Sequence, residues 1–216
     1  VLDVGAGTGI ASEQLLAKGV NVLAVEPDPR MAEVARDKGI SVEIGTFETW
    51  YPAKRNFDLV VFGQSFHWVN PAIALPKIHS LLSTGGQLAL MWNRLSPTDP
   101  THGDFAEIYR DYMDPGSPLI DGSSIGIVET DGNMDRLIAS ITASGFTVEE
   151  HRYPRNDHYS AQHWLDLVFT YSNHLILAAD KAAELRARLA ERIGSRGVSV
   201  GGDTLLLLAT RSQESG

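Results

Sequence analysis

The chain has 216 residues, 43% of them hydrophobic and 21% charged, enough for a globular domain with a sizeable core. It holds no cysteine, which excludes disulfides, thiolate nucleophiles and thiolate metal sites. A formal charge of −9 opposes a nucleic-acid surface, which needs clustered Lys and Arg.

In chain order, strand and helix patterns alternate, the mark of a parallel α/β sheet. A strand over Val1–Val4 enters GAGTG, and a helix over Ile10–Lys18 stops at Gly19, a suitable C′ residue. A strand over Val22–Val25 meets Pro27 and Pro29, which turn the chain into a helix over Arg30–Lys38. Ser41–Ile44 is the third strand. Phe57–Gly63 is a continuous apolar run, as in a strand buried on both faces. Asn70-Pro71 opens a helix over Ala72–Leu82, with proline at its first position. Gly85-Gly86 lead to a strand over Gln87–Trp92. Residues 95–133 break the rhythm with Pro, Gly and Asp around one amphipathic piece, Asp104–Met113, and are expected to form a cap within a single domain 1–216. A helix over Met134–Ser144, a strand over Thr147–Arg152, helices over Ala161–Ser172 and Asp180–Ile193, and a last strand over Asp203–Arg211 complete the chain.

No apolar run nears the roughly 18–20 residues of a membrane span, and no signal-peptide pattern is present. A cytoplasmic location without membrane partners is expected. His151, His158, His163 and His174 lack ligand spacing with carboxylates, so no metal site is expected. The chain starts without methionine and inside a strand, from which a truncated amino end is expected.

The chemistry concentrates at the first turn. Gly5, Gly7 and Gly9 stand two apart, whereas a pyrophosphate-binding turn reads GxGxxG; Ile10 occupies the place of its third glycine. This spacing favours a ligand without phosphates. Glycine lets the turn visit positive φ and lets the backbone approach a ligand closely. The following helix turns its positive amino end toward a ligand carboxylate. Glu26, 17 residues after Gly9 at the end of the second strand, is placed to accept hydrogen bonds from both hydroxyls of a ribose. Met31, one turn into the next helix, serves either an adenine face or the core. An NAD-dependent oxidoreductase remains as an alternative, opposed by Ile10, and so does a purely structural turn.

The run from Asp3 to Gly9, D-x-G-x-G-x-G, resembles the first motif of class I S-adenosylmethionine (SAM)-dependent methyltransferases. GQSFHWVNP (Gly63–Pro71) resembles the Q-x-F-H-W run of the trans-aconitate methyltransferase-like branch of the type 11 methyltransferases. WNR (Trp92–Arg94) and HWLDLVFTYSN (His163–Asn173) fit the same branch. The resemblance implies a Rossmann-like α/β sheet, mostly parallel with an antiparallel last strand and helices on both faces. It implies SAM as cofactor, bound by Asp3, Gly5, Ala6, Gly7, Glu26, Pro27, Met31, Thr46 and Phe47, with the glycine turn at its methionine part, Glu26 at its ribose, and Thr46 and Phe47 along its adenine. Thr46 and Phe47 stand where similar enzymes carry an acidic and a small residue. Gln64 falls near the sulfonium. On the acceptor side, His67 is the candidate base and Arg94 the candidate fork for an acceptor carboxylate. Trp68, Trp92 and the 95–133 segment are expected to shape the acceptor pocket. The implied activity is methyl transfer to a small molecule, at a carboxylate or a hydroxyl, by a monomer or homodimer. A SAM-binding regulatory protein without turnover is the other reading.

Overall fold

The structure, a computed structural model, describes residues 1–121, 131–170 and 172–211. Its strands are β1 (Leu2–Val4), β2 (Leu23–Glu26), β3 (Ser41–Ile44), β4 (Phe57–Gly63), β5 (Leu82–Asp99), β6 (Phe146–Tyr159) and β7 (Val198–Arg211). They form one sheet in the order β3-β2-β1-β4-β5-β7-β6. β3, β2, β1, β4 and β5 are mutually parallel, with Asp3 aligned on Ala24 in β2 and on Val61 in β4. β7 runs antiparallel to β5: Gln87 meets Thr210, Asn93 meets Thr204 and Thr98 meets Ser199, so one number falls as the other rises.

The residues form two compact units. One comprises Val1–Trp92, Glu129–Arg152 and Leu205–Gly216; the other comprises Asn93–Val128 and Tyr153–Thr204. The division differs from a single domain capped by 95–133, because the second unit also takes in 153–204. Of the expected cap, 122–130 lies outside the described residues, as does position 171 of the expected helix over Ala161–Ser172.

In the first unit, α1 (Ile10–Leu16), α2 (Pro29–Asp37), α3 (Pro71–Leu81) and α6 (Asp131–Ala143) accompany the strands. The period of two along a strand sorts side chains to opposite faces. In β2, Val25 joins a large core with Phe62, Leu75, Ile78 and Ile141, while Ala24 joins a smaller one with Ala32, Ala35 and Ile40 of the α2–β3 region. Helices thus cover both faces. Local chemistry sets the helix starts: the Asp28 side chain accepts from the Arg30 N–H at 2.8 Å, and Asn70 Oδ1 accepts from the Ala72 N–H at 3.0 Å, each before proline at the first helical position.

The second unit contains α4 (His102–Tyr109), α5 (Pro118–Asp121), α7 (Ala161–Val168), α8 (Ser172–Leu175) and α9 (Ala179–Ile193). Phe105, Tyr109, Trp164, Leu185 and Leu189 form its core. It also holds the ends of β5, β6 and β7 that the sequence pattern reads as loop. Gly202 is needed there, since a Cβ on it would fall on the Arg94 carbonyl. No helix among the described residues is long and apolar enough to cross a membrane.

Candidate functional site

A cleft of about 380 Å³ opens in the first unit beside the ends of β1, β2 and β4. The glycine turn after β1 provides its floor. Gly5 and Gly7 line it, with φ of +66° and +57°. The three glycines meet different demands. A Cβ on Gly5 would lie 2.6 Å from Ser65 Cβ, and one on Gly9 would collide with Ile40 and press on Ala35. A Cβ on Gly7 would meet only Met31 Sδ, at 3.9 Å. Gly5 and Gly9 therefore serve packing, while Gly7 keeps space in the cleft clear.

Glu26 ends β2 and is buried, with 5% exposure. Its Oε2 accepts from the Gly7 N–H at 2.7 Å and its Oε1 from the Asp28 N–H at 2.9 Å. One carboxylate thus fastens the glycine turn to the start of the next loop. Each oxygen retains a second lone pair, so both can take a further hydroxyl donor. Pro27, Asp28 and Met31 continue the wall. Thr46, Phe47 and Glu48 from the loop after β3 form another side.

The loop after β4 supplies Gln64, Ser65, Trp68 and Val69. Gln64 adopts φ +61°, a left-handed backbone that is costly for a residue with a side chain; its N–H donates to the Met91 carbonyl at 2.9 Å. Buried Ser65 donates its hydroxyl to the Val4 carbonyl at 2.5 Å, tying this loop to β1. Trp68 is 75% exposed at the rim. Nothing in the sequence pattern singles out Ser65, which takes its importance from β1, distant along the chain.

Eight expected cofactor residues, Gly5, Gly7, Glu26, Pro27, Met31, Thr46, Phe47 and Gln64, come together on this cleft. The others sit apart from it. Ala6 packs beside the small core. Asp3, 1% exposed, accepts from the Ser12 hydroxyl at 2.6 Å and so braces α1 behind the turn. Burial, the largest influence, pushes its carboxyl up from the ordinary value; the Ser12 hydrogen bonds oppose this and Glu26 adds to it.

His67 lies in the short turn Phe66–Trp68, against the Trp68 ring at 4.8 Å, and is not among the residues that line the cleft. Its Nδ1 is buried without a hydrogen-bond partner among the described residues. Burial pulls its pKa below the ordinary value of 6.5. Trp92, expected near an acceptor, is buried in the core of the first unit instead.

Arg94 requires a correction. It does not follow β5 but lies within it, because the strand continues to Asp99 by pairing with β7. Its Nε and Nη2 both donate to the Asp203 carboxylate, at 2.6 and 2.5 Å. With side chains only 15% and 21% exposed, this is a fixed fork–fork pair that occupies the guanidinium. Arg94→Ala should remove both charge-assisted hydrogen bonds of this pair at a cost of about 1–3 kcal/mol, lowering the melting midpoint by roughly 2–12 °C for a chain of this size. A melting curve checks this; an unchanged midpoint would show that the pair adds no stability. Among the described residues no cluster of His, Asp and Glu has the arrangement to hold a metal ion.

Residues 2–90 match the family model described as a methyltransferase domain. An uncharacterized methyltransferase of Mycobacterium tuberculosis is 30% identical over 196 residues, which cover 89% of this chain and 71% of the relative. Among solved structures, the YcgJ protein of Bacillus subtilis superposes with a TM-score of 0.59 at 16% identity, covering 98% of this chain and 91% of its own. Phosphoethanolamine N-methyltransferase 2 of Haemonchus contortus, solved with phosphomonomethylethanolamine and S-adenosylhomocysteine, gives a TM-score of 0.50 at 14% identity, covering 98% of this chain and 48% of its own. At these identities the two structures speak to the fold.

Proposed function

The chain belongs to the class I SAM-dependent methyltransferases, and on that premise we propose that it methylates a hydroxyl of a small-molecule acceptor, with SAM seated in the cleft of the first unit. The observation that carries this placement is Glu26: a buried carboxylate at the end of β2 that already orders the glycine turn and keeps a lone pair on each oxygen. The cleft fits the cofactor on independent grounds. Its volume of about 380 Å³ suits one ligand of that size, and a Cβ on Gly7 would intrude upon it.

In this reading Glu26 holds the ribose hydroxyls, Gly5 and Gly7 receive the methionine end, and Met31, Thr46 and Phe47 lie along the adenine. Gln64 and Trp68 stand toward the acceptor. When bound, SAM supplies an electrophilic methyl on a sulfonium. The chain's contribution is mainly orientation and exclusion of water, which together supply several kcal/mol of a barrier. The strained backbone at Gln64 holds that part of the loop in one position, through its N–H on Met91 and through Ser65 on Val4.

Two observations favour a hydroxyl over a carboxylate acceptor. Arg94, the cation a carboxylate would need, is taken by Asp203. Among the described residues that line the cleft there is no Lys, Arg or His, whereas Glu26, Asp28 and Glu48 are acidic. A hydroxyl needs a base, and His67 adjoins Trp68 at the rim. Burial disfavours its charged form, so the imidazole stays neutral and able to take a proton at pH values below 6.5. Turnover should therefore hold as pH falls through 6.5 and decline only below it. His67→Gln should reduce turnover about 100-fold, the lower end for a lost general base, and abolish that acidic limb. The test is labelled-methyl transfer from SAM across a panel of alcohols, phenols and carboxylic acids. Transfer to carboxylates alone, with His67→Gln fully active, would overturn the acceptor assignment.

A further inference from the structure

We infer that Lys77, on α3 and outside the cleft lining, is a positioning residue that sets SAM affinity by holding the adenine-side loop. The inference rests on the placement of SAM in this cleft. The loop after β3 carries Gly45, Thr46, Phe47 and Glu48 on the cleft. A loop that turns inside a protein leaves carbonyls needing donors. Here three of them converge on one ammonium: Lys77 Nζ donates to Trp50 O at 2.5 Å, Phe47 O at 2.6 Å and, more weakly, Glu48 O at 3.3 Å. An ammonium has three N–H donors and no acceptor, so the side chain and the loop satisfy each other. The same cation lies 5.0 Å from the Phe47 ring centre and 5.6 Å from that of Trp50, within cation–π range.

The clasp reaches both walls of the cleft. Glu48 Oε1 accepts from the Asn70 N–H at 3.0 Å, joining the loop to the segment that bears Trp68 and Val69. Within the loop, the Trp50 N–H donates to Thr46 O at 2.9 Å, and the Thr46 and Thr49 hydroxyls are 2.8 Å apart. These local bonds shape the turn, and Lys77 is the long-range tie from the helix to the backbone of Phe47 and Glu48. Removing it leaves Phe47 in the core but frees the carbonyls of Phe47, Glu48 and Trp50, so the Thr46–Glu48 edge loses its fixed distance from the adenine.

The test is calorimetric titration of Lys77→Met and Lys77→Gln with SAM and with 5′-methylthioadenosine, which keeps the adenine and ribose but lacks the amino-acid end. Both variants should weaken both ligands by the same factor, about tenfold, the equivalent of one hydrogen bond to a charged group. The number of sites per chain should stay that of the unaltered protein. A merely structural role would instead lower the number of competent sites at constant Kd. That pattern, loss of cooperative melting in both variants, or unchanged Kd in whichever variant folds overturns the proposal. Glu26→Ala is titrated alongside. If it binds SAM normally, the cleft is not the cofactor site and the ground for the Lys77 assignment goes with it; if it loses affinity while the Lys77 variants do not, only the Lys77 assignment fails.

Discussion

Gly7→Val should abolish SAM binding, raising Kd by about 100-fold or more, or roughly 2.7 kcal/mol, while the protein still melts cooperatively. The reason lies in the direction of the missing side chain. Gly5 and Gly9 are hemmed in by Ser65, Ile40 and Ala35, so a Cβ at either one strains packing. At Gly7 the first atom met is Met31 Sδ at 3.9 Å, and both residues line the cleft, so the added side chain is expected to take up cleft space. Backbone strain adds to this, because φ is +57° and a left-handed residue with a Cβ costs about 1–2 kcal/mol. That cost falls on stability and should lower the melting midpoint by several degrees. Gly7→Ala separates the two effects, with the same backbone strain and less intrusion. Gly9→Ala should do the reverse and destabilise the fold more than Gly7→Ala does. Titration and melting of the three variants check this. Normal SAM affinity in Gly7→Val would mean that the turn serves the fold alone.

Glu26→Ala should weaken SAM binding about 10- to 100-fold, since a hydrogen bond to a charged group contributes roughly 1.5–3 kcal/mol. Two such bonds to the ribose are available, but water replaces part of them in the variant, so the figure is not doubled. The carboxylate also holds the N–H groups of Gly7 and Asp28. Its removal frees the turn as well as the ribose, and a modest fall in melting midpoint should accompany the loss. Glu26→Gln should fall between, because its carbonyl oxygen still accepts while its NH₂ faces a backbone donor. A wild-type Kd in Glu26→Ala would place the ribose elsewhere and remove the basis for the cofactor position proposed above.

The parts of the site legible in the sequence are those made by local chemistry. A glycine turn after an apolar strand, a carboxylate at the end of the next strand, and Asp28-Pro29 or Asn70-Pro71 at a helix start all follow from backbone sterics and capping over a few residues. Parallel order then brings β1, β2 and β4 together, so Gly7, Glu26 and Gln64 reach one cleft.

Arg94 and His67 show where that reasoning ends. WNR reads as a strand end because Pro97 and Asp99 follow, yet the strand persists since 93–99 find partners on β7 more than 100 residues later. β6 likewise runs on beyond Pro154 and β7 through Gly201-Gly202, so the strand ends of the second unit lie in residues that look like loop. Ser65 and Lys77 carry no local signal either; each matters through a carbonyl on another element.

Sequence alone therefore determined the strand–helix alternation, the glycine turn and the carboxylate at the end of the next strand, because each depends on neighbours within one or two elements. Only the tertiary structure decided that Arg94 is bound to Asp203, that Asp3 braces α1 through Ser12, and that Lys77 holds the loop after β3. Such roles are set by which partner a charged or polar group meets once it is removed from water, and that partner is chosen by strand register and helix packing across the whole chain.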